Sequence, residues 1–481
     1  MRGHDIAYPR FWERLQQYRD RVAIIDAQAR AVITYRQLED LSRGGATQLN
    51  GSRKRVAYLA IRNDITGIVC YLSLLRSGHA IYLSGPQDAI TLNSDFIHRY
   101  RPDLILGRQR EHSAVIGLGD QRNDDPVGYR GVSDFLGHRM LERQNENKTD
   151  NIYPELALLL STSGSTGSSK TVQLSYENLA ANARQIAGAL DVDPTERIVL
   201  SLPLHYAYGL SVLHSALSVG ASLVIGKRTI LEPGFWGICR TTEVTTLPMV
   251  PVMLKSMQSI GMHKVQLSSL RKITVSGAAI DESTRSWMFS QILSKQVQVY
   301  SMYGMTEATA RIAVLPAHEF PTRPASVGRV VCRGKLQILP SGEIVYRGPN
   351  VMLGYANERS DLERGDLLGG VLNTGDLGSL DEASNLYITG RLTRICKLLG
   401  ARIDLTDIER HLAHMGEVAV VSDDEVIRIF HTHEDESEVD ASATQLAERW
   451  RIPRASLILK RVRTIPRTDS GKIRYPDLWK L

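Results

Sequence analysis

From residue 55 to residue 300, short apolar runs alternate with stretches of helical periodicity, and few folds accept that order. The runs lie at 55–61, 104–106, 156–160, 198–202, 222–225, 273–275 and 296–300, several of them bounded by Gly, Pro or Ser. Helical patterns fall between them, among them 66–76 and 176–190. Strands that alternate with helices predict an α/β fold of parallel or mixed sheets covered by helices. A chain of 481 residues exceeds what one core holds, so a large domain and a smaller one are expected.

Residues 117–151 are polar and pattern-poor and read as a loop or insert. After Val327 hairpin-like pieces appear: 335–339, then Pro340-Ser341-Gly342, then 343–346. A further βα-type segment runs from 386 to the end. A boundary at Gly390–Thr393 gives domains 1–390 and 391–481, the second small enough for a mobile lid with its hinge near Thr393.

The net charge of +6 favours anionic ligands such as nucleotides without making a nucleic-acid binder. The basic residues from Arg449 to Lys480 read as a solvated face. Cys70, Cys239, Cys332 and Cys396 are far apart and have no His partners at ligand spacing. That excludes a disulfide framework and a zinc site and fits a reducing cytosol. No signal-peptide core and no membrane span are expected, so the protein reads as cytoplasmic.

The chemistry concentrates in a few short segments. The run 156–160 reads as a buried strand that leads into Ser161-Thr162-Ser163-Gly164-Ser165-Thr166-Gly167-Ser168-Ser169-Lys170. Such a loop packs no core; it offers backbone N–H groups, hydroxyls and one cation, which suits phosphates. A Walker loop would need Gly at Ser169 and a helix starting at Lys170, whereas Val172-Gln173-Leu174 looks extended. A P-loop kinase or NTPase therefore stays a remote alternative. Tyr303-Gly304-Met305-Thr306-Glu307 combines an aromatic for a base, a glycine for close approach, a hydroxyl for a phosphate and a hard oxygen ligand. Thr374-Gly375-Asp376 presents a carboxylate that can accept from two ribose hydroxyls. Gly390-Arg391 presents a permanent cation. Pro466-Arg467-Thr468-Asp469-Ser470-Gly471-Lys472 puts a lysine at the tip of a turn. Thr406 and Glu409 have the spacing of a capping box at a helix start.

In this order the segments resemble the adenylate-forming superfamily of acyl- and aryl-CoA synthetases, peptide-synthetase adenylation domains and luciferases. The likeness also takes in Ile33-Thr34-Tyr35-Arg36-Gln37-Leu38, Leu75-Arg76-Ser77-Gly78, Pro203-Leu204-His205-Tyr206-Ala207-Tyr208-Gly209 and Ser276-Gly277-Ala278-Ala279. It continues through Gly342-Glu343-Ile344, Gly348-Pro349 and Gly354-Tyr355. It implies a large N-terminal domain with a small β-barrel-like subdomain, and a small mobile α+β C-terminal domain. It implies ATP and Mg²⁺, with a carboxylic acid joined to AMP and pyrophosphate released. Thr162, Ser163, Gly164, Ser165, Thr166, Gly167 and Lys170 would hold phosphates. Gly277, Ala278, Ala279, Tyr303, Gly304, Asp376 and Arg391 would hold the rest of the nucleotide. Thr306 would contact the α-phosphate, Glu307 the metal, and Lys472 would be the adenylation lysine. Tyr206, Tyr208, Gly209, Ser276, Tyr300 and Met302 would line the acid pocket. Three positions depart from the family pattern: Ser169 stands for Pro, Thr171 for Gly, and Thr393 for the usual hinge Asp or Lys.

Amino-acid-activating relatives pair the substrate ammonium with an acidic side chain, and 204–211 contains none. An aryl, cyclic or fatty acid is therefore expected, because an unpaired ammonium is costly to bury. The expected acceptor is a thiol, of CoA or of an acyl carrier protein's phosphopantetheine. The alternative acceptor is an amino acid amine, as in a coronafacate-type ligase.

Overall fold

The structure, a computed structural model, describes residues 8–49, 51, 53–86, 94–107, 128–144, 151–162, 170–226, 228–261, 265, 267–398, 401–423, 426–450, 452–468 and 471–481. Their packing divides into two units. The first comprises the described residues up to 335 together with 347–372, and the second comprises 336–346 and 373–481.

The first unit is built on two sheets. In the nine-stranded sheet, Gln298–Tyr303, Lys272–Val275, Thr246–Met249, Arg197–Val199, Ser222–Ile225 and Val22–Asp26 follow one another in parallel. Antiparallel strands close both edges. In the eight-stranded sheet, Leu156–Thr162, Ala80–Ser84, Val56–Ala60 and Leu104–Gly107 form the parallel centre. Val56–Ala60 and Ala80–Ser84 are buried at every position, which is why they read as unbroken apolar runs rather than alternating ones.

The covering helices start where the sequence supplies caps. Asp64 accepts from Gly67 N at 2.8 Å and opens Ile65–Arg76. Ser175 and Asn178 form a reciprocal capping box that opens Tyr176–Ala189. Phe235, Trp236, Leu254 and Met257 pack against Leu247, Ile273 and Val299 on one face of the nine-stranded sheet.

The second unit carries most of a four-stranded sheet, ordered Lys335–Ile338, Glu343–Arg347, Val371–Leu380 and Leu386–Arg391. Its later part has a two-stranded hairpin, Ile395–Leu398 with Ala401–Asp404. A three-stranded sheet of Val418–Ser422, Ile427–His431 and Leu457–Arg461 carries the helices Leu405–Leu412 and Glu436–Trp450. The expected fold class holds: an α/β chain with a large N-terminal part of mixed sheets, a further small sheet and a small α+β C-terminal part.

Two expectations need correction. Within 117–151, residues Tyr129–Phe135 and His138–Arg143 form an antiparallel hairpin that extends the eight-stranded sheet. It hid in the sequence because the outer strand is exposed at all five internal positions, so polar residues satisfy it. Thr406 is not a helix cap. Asp404 takes that place and accepts from Thr406 N at 2.8 Å, and Glu409 turns into the interior. Among the described residues no helix is long and apolar enough to cross a membrane.

Candidate active site

Several candidate residues lie just past the C-terminal ends of parallel strands, the usual place for ligands in open α/β sheets. Thr162 ends its strand, Ser276 follows Lys272–Val275, and Tyr303 ends Gln298–Tyr303. Ser163, Gly164, Ser165, Thr166 and Gly167 lie outside the described residues. Thr162 and Lys170 face each other in antiparallel register. Lys170 begins the strand Lys170–Ser175, and the helix begins only at Tyr176. This removes the P-loop kinase alternative, which requires a helix to start at the lysine.

The turn after Tyr303 folds back tightly. A Cβ on Gly304 would run into the Ala310 carbonyl, so only glycine fits there. Thr306–Ala308 makes one 3-10 turn, and Ala310 sits at φ +117°, a strained value for a residue with a side chain. Asn350 holds this conformation by donating to the Ala308 carbonyl at 2.8 Å and the Arg311 carbonyl at 2.9 Å. Thr309 Oγ1 donates to the Asn350 carbonyl at 2.6 Å, and Met352 N to the Glu307 carbonyl at 2.9 Å.

The same segment delivers Tyr355, which the family likeness takes in without a role in the site. Its hydroxyl donates to Glu307 Oε1 at 2.8 Å, and Lys170 Nζ stands 4.9 Å over its ring. Tyr355 can do both because Gly354–Ala356 pairs with Lys170–Ser175 at the edge of the eight-stranded sheet. Lys170, a phosphate-binding candidate, and Glu307, the metal-ligand candidate from the other sheet, thus meet on one phenol.

Among the described residues no group of three or more His, Cys, Asp or Glu could hold a metal. Magnesium beside a nucleotide needs only one or two carboxylates, because phosphates and water complete its shell. Glu307, with one oxygen oriented by Tyr355, fits that demand. Gly277, at φ +102°, and the small exposed Ala278 and Ala279 leave backbone open to a flat ring.

Strand alternation places the acid-pocket candidates Tyr300 and Met302 on one face of their strand. Tyr300 and Met302 point into a cluster with Ile186, Leu190, Val314 and Tyr208, whereas Val299 belongs to the opposite face. Burial, with Asp191 and Glu196 adding to it, pushes the Tyr300 phenol up to about 12. Ser276 is buried and donates to the Met302 carbonyl at 3.3 Å. Gly209 lies against the Pro203 carbonyl, where no Cβ fits. Tyr206 precedes the helix Ala207–Val219 and packs on His205, with ring centroids 4.3 Å apart. The Tyr208 hydroxyl donates to the Thr274 carbonyl at 2.9 Å.

Sequence reading missed Arg311. Its guanidinium stands 4.3 Å over the Tyr208 ring, and its Nε donates to Met302 Sδ at 3.2 Å. Burial pushes this guanidinium below its ordinary value, with Tyr208 pulling the other way, yet an arginine remains charged. A buried cation without a carboxylate costs several kcal/mol. Only the burial of Arg311 beside candidate pocket residues marks it, and a one-dimensional sequence does not carry burial.

The second unit holds the remaining candidates. Asp376 and Arg391 are cross-strand partners, and Arg391 Nε meets Asp376 Oδ1 at 3.1 Å. Lys472 is exposed at the tip of a tight turn. There Thr468 N donates to the Lys472 carbonyl at 2.8 Å, Lys472 N donates to Thr468 Oγ1 at 3.1 Å, and Gly471 adopts φ +81°. Thr393 is exposed within the 3-10 turn Leu392–Arg394.

Beside Thr393, Arg394 donates to Glu409 Oε1 at 2.6 Å and lies 4.0 Å over the Tyr475 ring. Tyr475 donates to Glu409 Oε2 at 3.1 Å, and Val420 N to Glu409 Oε1 at 2.8 Å. Burial raises the Glu409 carboxyl, and these partners oppose it. Glu409 therefore ties the turn at Thr393 to the segment just after Lys472. A cleft of about 550 Å³ lined by His98, Arg101, Asn357 and Arg364 includes none of the candidates.

Comparison with known proteins agrees with this geometry. The chain is 26% identical over 439 residues to 4-coumarate–CoA ligase CCL1 of Humulus lupulus, covering 83% of this chain and 78% of that one. It is 29% identical over 352 residues to 2-succinylbenzoate–CoA ligase of Bacillus cereus, covering 68% and 70%. Its fold matches o-succinylbenzoate CoA synthetase of Bacillus subtilis in complex with an acyl-adenylate, with TM-score 0.74, 22% identity and 98% of each chain covered. A family profile described as AMP-binding enzyme matches residues 11–356. That match spans well over half of the sequence and takes in the strands ending at Thr162 and starting at Lys170, the cluster around Tyr300 and Met302, and the Thr306–Glu307 turn, and so the chain belongs to the AMP-binding enzyme family.

Proposed function

We propose that this protein is an ATP-dependent, AMP-forming acid–CoA ligase that activates an acid without an α-ammonium group. The observation that carries the reading is the contact chain Lys170–Tyr355–Glu307, which brings a cation assigned to the phosphates and a carboxylate assigned to the metal to one place.

A carboxylate is anionic and lacks a leaving group. In the first half-reaction its oxygen attacks the α-phosphorus of ATP, and the bond to pyrophosphate breaks. Bringing two anions to about 4 Å costs about 4 kcal/mol per like-charge pair at an effective dielectric near 20. Lys170 faces the departing pyrophosphate, Thr306 donates to the α-phosphate, and Lys472 comes to the reacting oxygens. Bound magnesium would add charge neutralisation on the phosphates, with Glu307 as its protein ligand. Tyr303 flanks the adenine, and Asp376 and Arg391 hold the ribose. Ser163–Gly167 would complete the phosphate cradle.

In the second half-reaction the CoA sulfur attacks the acyl carbon and AMP leaves. We place the hinge at Thr393 and assign 391–481 as the lid that withdraws Lys472 to admit the thiol. Relatives named for CoA ligation of 4-coumarate, 2-succinylbenzoate and indoleacetate support CoA over an amine acceptor. Their acids also fit the non-amino reading, and Arg311 beside Tyr208 would repel an ammonium. The test is acid-dependent release of pyrophosphate and AMP, followed by thioester formation with CoA. Production of ADP, or acyl transfer to amino acids with CoA inert, would refute the assignment.

A further inference from the structure

Four arginines among the described residues are buried: Arg143, Arg311, Arg359 and Arg394. Arg143 and Arg359 both bind the Asp103 carboxylate, at 2.9 Å each, and Arg394 binds Glu409 at 2.6 Å. Arg311, 3% exposed, breaks the pattern. Of its five N–H donors, one meets the Met302 thioether and one the neighbouring Ala310 carbonyl. A thioether is a weak acceptor. Among the described residues no carboxylate pairs with Arg311 and no acceptor meets its Nη2. The Tyr208 ring offsets part of the burial, but its phenol supplies no counter-charge, because burial raises it and it already donates to Thr274. A buried guanidinium in this state is built for an anion that arrives from outside.

The location says which anion. Met302 and Tyr303 are consecutive strand residues, so their side chains leave opposite faces. The guanidinium lies on the Met302 face, with Tyr208, and the adenine contact is assigned to the Tyr303 face. A carboxylate held by Arg311 is therefore on the acid side and away from the reacting one. We infer that Arg311 binds a second carboxylate of the substrate, so that the enzyme activates one end of a dicarboxylic acid and reads the other. This rests on the proposed AMP-forming ligase activity and specifies its substrate class. The chemical step is unchanged, since the second carboxylate forms no bond.

The test uses the full chain with Mg²⁺-ATP and CoA, and matched acids: hexanoate against adipate, octanoate against suberate, benzoate against isophthalate. The readout is the ratio of kcat/KM for pyrophosphate release within each pair. Wild type should favour the diacid in at least one pair by roughly 100-fold, the scale on which a buried charged partner discriminates. Arg311→Met should collapse that ratio, and Arg311→Lys should retain part of it. A wild-type preference for the monoacid in every pair overturns the inference, as does an unchanged ratio in Arg311→Met. If Arg311→Met does not fold, judged by its melting profile, the wild-type ratios and Arg311→Lys decide alone. AMP from monoacids but not diacids sinks this inference and leaves the ligase reading standing. No AMP from any acid sinks both.

Discussion

The contact between Tyr355 and Glu307 gives the sharpest test of how the proposed metal carboxylate is oriented. Tyr355→Phe removes one hydroxyl, 2.8 Å from Glu307 Oε1, and leaves the ring 4.9 Å from Lys170 Nζ. Hydrogen bonds to charged groups contribute about 1.5–3 kcal/mol. Both side chains are only half-buried, so solvent recovers part of this and the lower figure, about 1.5 kcal/mol, applies. At about 1.4 kcal/mol per factor of ten, kcat/KM for ATP should fall about tenfold. The fall should be steepest at low magnesium, because a mis-set carboxylate is a weaker metal ligand. Tyr355→Ala also removes the ring beneath Lys170 and should lose a further ~0.5–1 kcal/mol. ATP–pyrophosphate exchange across a magnesium titration is the assay, with melting temperature as the control. A double-mutant cycle with Glu307→Gln should show coupling close to the single effect of Tyr355→Phe. Additive losses, or a loss equal at all magnesium concentrations, would show that the hydroxyl does not act through Glu307.

Lys472→Ala should cut adenylation by about 10²–10³-fold, as for the loss of a transition-state donor, yet spare thioester formation from a supplied acyl-adenylate. Equal loss in both steps would remove Lys472 from its assigned role. Gly304→Ala forces a methyl group into the Ala310 carbonyl and should cost about 3 kcal/mol, read as a lower melting temperature and little active enzyme. Burial lowers His79 to about 4, with Arg55 adding to the effect, and its Nε2 donates to the Leu49 carbonyl. Its folded pKa lies below the unfolded one, so the unfolded chain binds more protons in acid. Stability from neutral His79 is present above pH 6.5 and is lost as pH falls towards 4, by roughly 3 kcal/mol. His79→Gln should flatten the urea-midpoint profile over that window; an unchanged profile would contradict the assignment.

Short-range chemistry made much of the site legible before any coordinates. The Ser/Gly-rich stretch before Lys170 follows a buried strand, and Gly304 ahead of Thr306-Glu307 marks a turn that only glycine permits. Both are local statements about backbone freedom and donor chemistry. The capping reading of Thr406 and Glu409 failed for the complementary reason. Spacing alone cannot say that Asp404 already fills the cap, or that Arg394, Val420 and Tyr475 are waiting for the carboxylate of Glu409. The hairpin at 129–143 escaped because an edge strand with polar outward positions has no apolar signature.

The sequence by itself determined the α/β class, the order of the Ser/Gly-rich run before Lys170, the Thr306–Glu307 turn, Asp376 and Lys472, and the lack of an acidic residue at 204–211. Periodicity and backbone chemistry act over a few residues, and these features need no more. Only the tertiary structure decided that Tyr355 spans Lys170 and Glu307, that Glu409 is an interior anchor, and that Arg311 lies buried beside Tyr208 and Met302 with no counter-charge among the described residues. Each of these depends on strands and turns far apart in the chain being laid side by side, and on the water that packing removes between them.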